Sequence, residues 1–149
     1  MTTYLITQLG YAGLFIISFL AATLLPLGSE AAVAAMGASA FDPALVLTVA
    51  TAGNSLGALV NYAVGRWGAR VFFSRWLDVE PAALEKTRRI CRRWGAPVLF
   101  FAWLPVIGDP LTVAAGIVNL RLAPFLFWVI LGKGIRYLLV IQGAQALLT

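Results

Sequence analysis

Two carboxylates stand alone in long apolar stretches of this chain, at matching places. Glu30 closes the run Leu25-Pro26-Leu27-Gly28-Ser29-Glu30, and Asp109 closes Leu104-Pro105-Val106-Ile107-Gly108-Asp109. Each acid follows its proline by four residues, and a glycine (Gly37, Gly116) follows each proline by eleven. The copies lie 79 residues apart, and the same offset pairs Gly53 with Gly132. A lone carboxylate in hydrocarbon costs at least about 2.5–3.5 kcal/mol, so each must be paired, neutralised or wetted by a cavity. A carboxyl group so placed can load and release a proton, which is how a transporter couples to a proton gradient. The plainer role open to each acid is to cap the short helix after its break.

Lys133 and Arg136 are the next pair. They are three apart and share a helix face. They lie about ten residues into the last helix, beyond easy snorkelling. Their partners are expected to be Glu30 and Asp109, or a ligand phosphate, which suits the paired donors of a guanidinium. Purely structural ion pairing is the alternative. Arg121 reads first as an interfacial anchor and second as a headgroup ligand.

The elements that must hold these groups are membrane elements. Hydrophobic residues make up 61% of the chain and charged ones 11%, with a mean hydropathy of +0.90. A soluble domain is about a quarter charged. The expectation is an all-α integral membrane protein, one membrane domain over 1–149. It divides into repeat one at about 10–73, a basic connector at 74–95 and repeat two at about 96–148. Residues 4–25 are apolar and long enough to span at about 20 residues per crossing. The first basic residue is Arg66, so this run is not expected to be a cleavable signal peptide. Pro26 and Gly28 interrupt it, and the arm at 31–41 is too short to cross alone, which fits a re-entrant hairpin. Asp42-Pro43 then predicts a capped helix over about 43–73. Its small residues Gly53, Gly57 and Gly65 suit close helix packing, and Asn54 and Asn61 are expected to face protein. Residues 97–118 repeat the hairpin, broken at Pro105, Gly108 and Pro110, and a last helix covers about 124–148.

Eight of the eleven basic residues lie between Arg66 and Arg93. Asp78-Val79-Glu80-Pro81 predicts a turn and a helix of about three turns there. Cytoplasmic loops carry the Lys/Arg excess, so this connector is expected inside. That orientation makes the two repeats inverted, with hairpin tips near the midplane. The chain has no histidine and one cysteine, Cys91, read as incidental. Disulfides, His-based metal sites and metal clusters are therefore not expected. No phosphate-binding glycine loop, nucleophile elbow or metal-ligand spacing is present, so neither an enzyme nor a cofactor is expected.

Several of these segments resemble the DedA superfamily, also called SNARE-associated or VTT-domain proteins. The resemblance rests on the acid after the first break, on Gly53-x-x-x-Gly57 with Tyr62 and Gly65, on Phe100-Phe101-Ala102-Trp103-Leu104-Pro105, and on Ala114-Ala115-Gly116. Leu104 to Thr112 is similar to the short YqaA-type branch. The likeness covers residues 10–148. It implies two facing re-entrant hairpins and movement of lipids or lipid-linked phosphates, undecaprenyl phosphate among them, with Glu30 as the family's membrane-embedded acid. The chain departs from the family at the second hairpin, where typical members carry arginines around the proline. Here Trp103 precedes Leu104-Pro105 and Gly108-Asp109 follows, so positive charge must come from Arg121, Lys133 or Arg136.

The function expected is a multi-pass transporter of the bacterial inner membrane, a proton-linked flippase or scramblase of an anionic lipid. Glu30 and Asp109 would exchange protons, and Lys133, Arg136 and Arg121 would draw the headgroup. The rival readings are a small ion or solute transporter using the same site, and a non-transporting membrane assembly protein. In the latter the glycine face of helix 43–73 would build a homo-oligomer. The expected partners are membrane lipids and no nucleic acid.

Overall fold

The computed structural model describes residues 2–23, 29–68, 81–104 and 107–147. Every regular element among them is a helix: α1 (Thr2–Thr23), α2 (Ser29–Gly37), α3 (Pro43–Gly68), α4 (Pro81–Trp94), a 3₁₀ helix (Ala96–Trp103), α5 (Gly108–Ile117) and α6 (Leu122–Ala146). The hairpin-break residues Pro26, Gly28 and Pro105, the turn Asp78–Glu80 and the expected end of helix 43–73 lie outside the described residues. At 1.5 Å per residue, α3 and α6 are about 39 and 37 Å long, enough for a 30 Å hydrocarbon layer. Both are apolar enough to cross, and α6 exposes Phe127, Ile130, Ile135 and Leu139. By the same rise α2 and α5 reach only about 14 Å and 15 Å, too short to span.

The chain forms two compact units. The first holds α1, α2, α3 as far as Gly57, and α6 from Lys133. Its core is Leu14, Val33, Val46, Ala50, Tyr137 and Ile141. The expected cap starts α3: the Asp42 carboxylate accepts the N–H groups of Ala44 and Leu45 at 2.8 and 3.2 Å. Those donors have no partner within the helix, and Pro43 at the first position has no N–H to satisfy. The Asp42 N–H is held in turn by the Tyr11 hydroxyl at 3.1 Å. Gly53 and Gly57 bring α3 against the backbone of α1 at Phe15 and Phe19. Those two glycines therefore serve packing within the chain.

The second unit runs from Ala58 to Gly132. Ala58, Tyr62, Cys91, Leu99, Leu111 and Phe125 form the centre of its core. Gly65 of α3 lies on the backbone of α5 at Val113, and Gly116 of α5 on that of α3 at Tyr62. The 3₁₀ helix is eight residues long, against a usual three or four. Gly108 and Gly132 lie directly on its carbonyls at Ala102 and Phe100, where a side chain would not fit. Helix α5 ends in a Schellman turn: Asn119 takes φ 55°, and the Leu120 N–H bonds the Ala115 carbonyl at 3.0 Å.

The basic helix α4 is longer than three turns, at 14 residues, and it packs on α5 and the 3₁₀ helix. Cys91 is a packing residue, buried at 1% exposure, and its thiol faces the Leu111 carbonyl. Burial raises its pKa from 9.0 to about 11. The thiolate is the nucleophile, so native protein at pH 8 should react with iodoacetamide about 100-fold more slowly than denatured protein. The folded chain keeps a proton that the unfolded chain releases, so stability from this group is full below pH 9 and declines towards pH 11. Equal labelling rates in native and denatured protein would refute the buried placement.

Candidate functional site

Helix α2 restarts the chain at Ser29 and puts Glu30 in its first turn, where the helix dipole favours a carboxylate. Glu30 forms an ion pair with Arg136 of α6, and both side chains are half-buried. Three residues earlier on α6, Lys133 is buried at 3% exposure. Its ammonium donates to the side-chain oxygen of Asn54 on α3 and, at 3.4 Å, to the Asn54 carbonyl.

Asn54 carries the connection onward. Its amide donates to the Ser18 carbonyl of α1 at 3.0 Å and to the Tyr137 hydroxyl at 2.9 Å. Tyr137 donates to the Ser29 hydroxyl at 3.1 Å. A buried run of hydrogen bonds thus leads from Lys133 through Asn54 and Tyr137 to Ser29, the neighbour of the Glu30–Arg136 pair. Four helices contribute to it, all within the first unit. The hydroxyls of Thr51 and Ser55 are buried in the same unit with no hydrogen-bond partner among the described residues. Buried polar groups are rarely left so. Chemically the arrangement gathers two cations, one acid and several hydroxyls within one unit.

Of the expected site residues, the fold brings together Glu30, Arg136 and Lys133. The expected Glu30–Arg136 pairing is present, while Lys133 is held by Asn54, which was expected only to face protein. Asp109 belongs to the second unit, half-buried in the first turn of α5 beside Pro110. Its carbonyl accepts the Thr112 hydroxyl at 2.8 Å, and Thr112 accepts the Asn61 amide at 3.3 Å. Arg121 is exposed just before α6. Tyr137 and Ser29 were not singled out by sequence. A signal for Asn54 was available: it lies 79 residues before Lys133, the offset of the repeated motif.

The family model of the VTT domain matches residues 25–145, which include Glu30, Asn54, Asp109, Lys133 and Arg136. The chain belongs to the VTT-domain, or DedA, family. It is 40% identical over 128 residues to "Inner membrane protein YqaA" of Escherichia coli (strain K12), covering 85% of each chain. The protein of the same name from Shigella flexneri gives the same figures. An uncharacterised protein of Haemophilus influenzae is 35% identical over 132 residues, 83% of this chain and 80% of the other. No solved structure matches. Likeness to an inner membrane protein, together with long apolar α3 and α6, puts this VTT-domain protein in a membrane.

Proposed function

We propose that this VTT-domain protein is a multi-pass transporter, a proton-linked flippase or scramblase of an anionic lipid such as undecaprenyl phosphate. The observation that carries the reading is the buried polar run from Lys133 to Ser29 beside the Glu30–Arg136 pair. Intramembrane ionisable residues are expensive and are kept where they handle charge. Arg136 leaving Glu30 for a lipid phosphate would free the acid to take up a proton, and the reverse exchange would release the lipid. In this reading Glu30 and Asp109 are the proton sites, and Lys133, Arg136 and Arg121 attract the headgroup.

Repeated elements support the transporter reading. Helices α5 and α6 begin 79 residues after α2 and α3, the offset of the sequence motif. Contacts recur at the same offset: Gly37 lies on Ile141 in the first unit, and Gly116 lies on Tyr62 in the second. Transporters are commonly built from such repeats, with short or broken helices at the binding site. The short α2 and α5 are read here as the returning arms of re-entrant hairpins. The basic connector is read as cytoplasmic, which makes the repeats inverted.

The test is reconstitution in vesicles containing a fluorescent undecaprenyl phosphate analogue, with a proton gradient imposed. Lipid movement by a Glu30→Gln, Asp109→Asn double variant, checked for native thermal stability, should fall to the rate of protein-free vesicles. Movement at the wild-type rate would overturn the role given to the acids.

A further inference from the structure

Helix α4 spreads its residues unevenly. At about 100° per residue, Lys86, Arg89 and Arg93 share one face, with Ile90 and Trp94 at its edge. Thr87 and Cys91 turn into the core of the unit. Ile90 and Trp94 line an apolar recess of about 390 Å³ with Pro97, Val98 and Phe101 of the 3₁₀ helix. The same two residues border a second recess of about 730 Å³, lined by Lys86, Arg89 and Arg93. A cationic row and an apolar trough therefore share one wall. Trp94 and Phe101 are 66% and 49% exposed, and the Arg93 guanidinium lies over the Trp94 ring at 5.9 Å. Glu85, the acid on this helix, is engaged by Arg88 at 3.2 Å.

We propose that this trough is a binding site for one anionic phospholipid, its acyl chain against Trp94, Pro97 and Phe101 and its phosphate on Lys86, Arg89 and Arg93. Charge and polarity are complementary at both ends. Basic side chains near a membrane surface attract anionic headgroups, and tryptophan settles at headgroup level. Free phosphate would match the cations and leave the apolar recess unexplained. The site rests on membrane location alone and needs no transport, so it stands or falls separately from the transport reading.

The experiment is tryptophan quenching in vesicles, taking the difference signal between wild type and a Trp94→Phe variant. Brominated phosphatidylglycerol in a phosphatidylcholine bilayer should occupy the site about fivefold better than brominated phosphatidylcholine at equal mole fraction. The preference should vanish in a Lys86→Gln, Arg89→Gln, Arg93→Gln variant that keeps the wild-type melting temperature. It should survive excess inorganic phosphate at constant ionic strength. Should the triple variant not fold, high salt on the wild type should shrink the preference by screening. Equal quenching by the two lipids overturns the proposal. So does a preference that persists in the triple variant or in high salt, or one that free phosphate abolishes.

Discussion

Asn54→Leu is expected to destabilise the protein by about 3–5 kcal/mol, the range for removing one partner from a buried charged contact. The Asn54 side chain accepts from the Lys133 ammonium and donates to both the Ser18 carbonyl and the Tyr137 hydroxyl. Leucine matches its size and offers none of these. A hydrogen bond to a charge contributes about 1.5–3 kcal/mol, and each buried group left unsatisfied costs about 1–3 kcal/mol more. Adding Lys133→Met should therefore restore stability rather than reduce it, because the charge that asparagine solvated is then gone. Unfolding midpoints in detergent for the two single variants and the double decide the matter. A double variant at the sum of the singles would mean the two side chains act independently. The Asn54→Leu/Lys133→Met protein should also be folded yet impaired in lipid movement, if Lys133 attracts the headgroup.

That coupling marks where the sequence stops being legible. Local rules carried far: Asp42-Pro43 predicted the start of α3, and the Pro–Gly breaks predicted short arms, the first at 31–41, where the helices α2 (Ser29–Gly37) and α5 (Gly108–Ile117) stand. These depend on residues within one turn of each other. The Glu30–Arg136 pair was readable in part: two acids and two bases in apolar stretches leave few other partners, but not which acid meets which base. The role of Asn54 was not, since an amide can be satisfied by almost any neighbour. Nor was the setting of Cys91. Its flanking arginines made α4 look like a solvated linker, whereas helical periodicity turns Thr87 and Cys91 together into the core. The glycines of α3 announced close packing correctly. Which helix each one met depended on the path of the chain: α1 for Gly53 and Gly57, α5 for Gly65.

The glycines also support the second large effect. Gly116→Ala is expected to destabilise the second unit by about 3 kcal/mol, at the upper end for overpacking. A β-carbon there would fall on the Tyr62 carbonyl, 2.9 Å from its carbon and 2.8 Å from the Arg66 nitrogen. These are helix backbone atoms, which cannot rotate aside as a side chain can. Helices α3 and α5 would have to separate, straining the Asn61–Thr112 bond and the bond from Tyr62 to the Leu120 carbonyl. The matched glycine of the first copy behaves differently. A β-carbon on Gly37 would come nearest to the Ile141 side chain, at 3.0 Å, which would have to give by only a few tenths of an ångström. Gly143 meets nothing within 4 Å, so Gly143→Ala should gain the helix propensity of alanine, about 0.5–1 kcal/mol. Unfolding midpoints should therefore rank Gly143→Ala above wild type, Gly37→Ala slightly below it and Gly116→Ala far below. Equal losses at Gly37 and Gly116 would mean that the two motifs pack alike, and that the backbone contact assigned to the second is wrong.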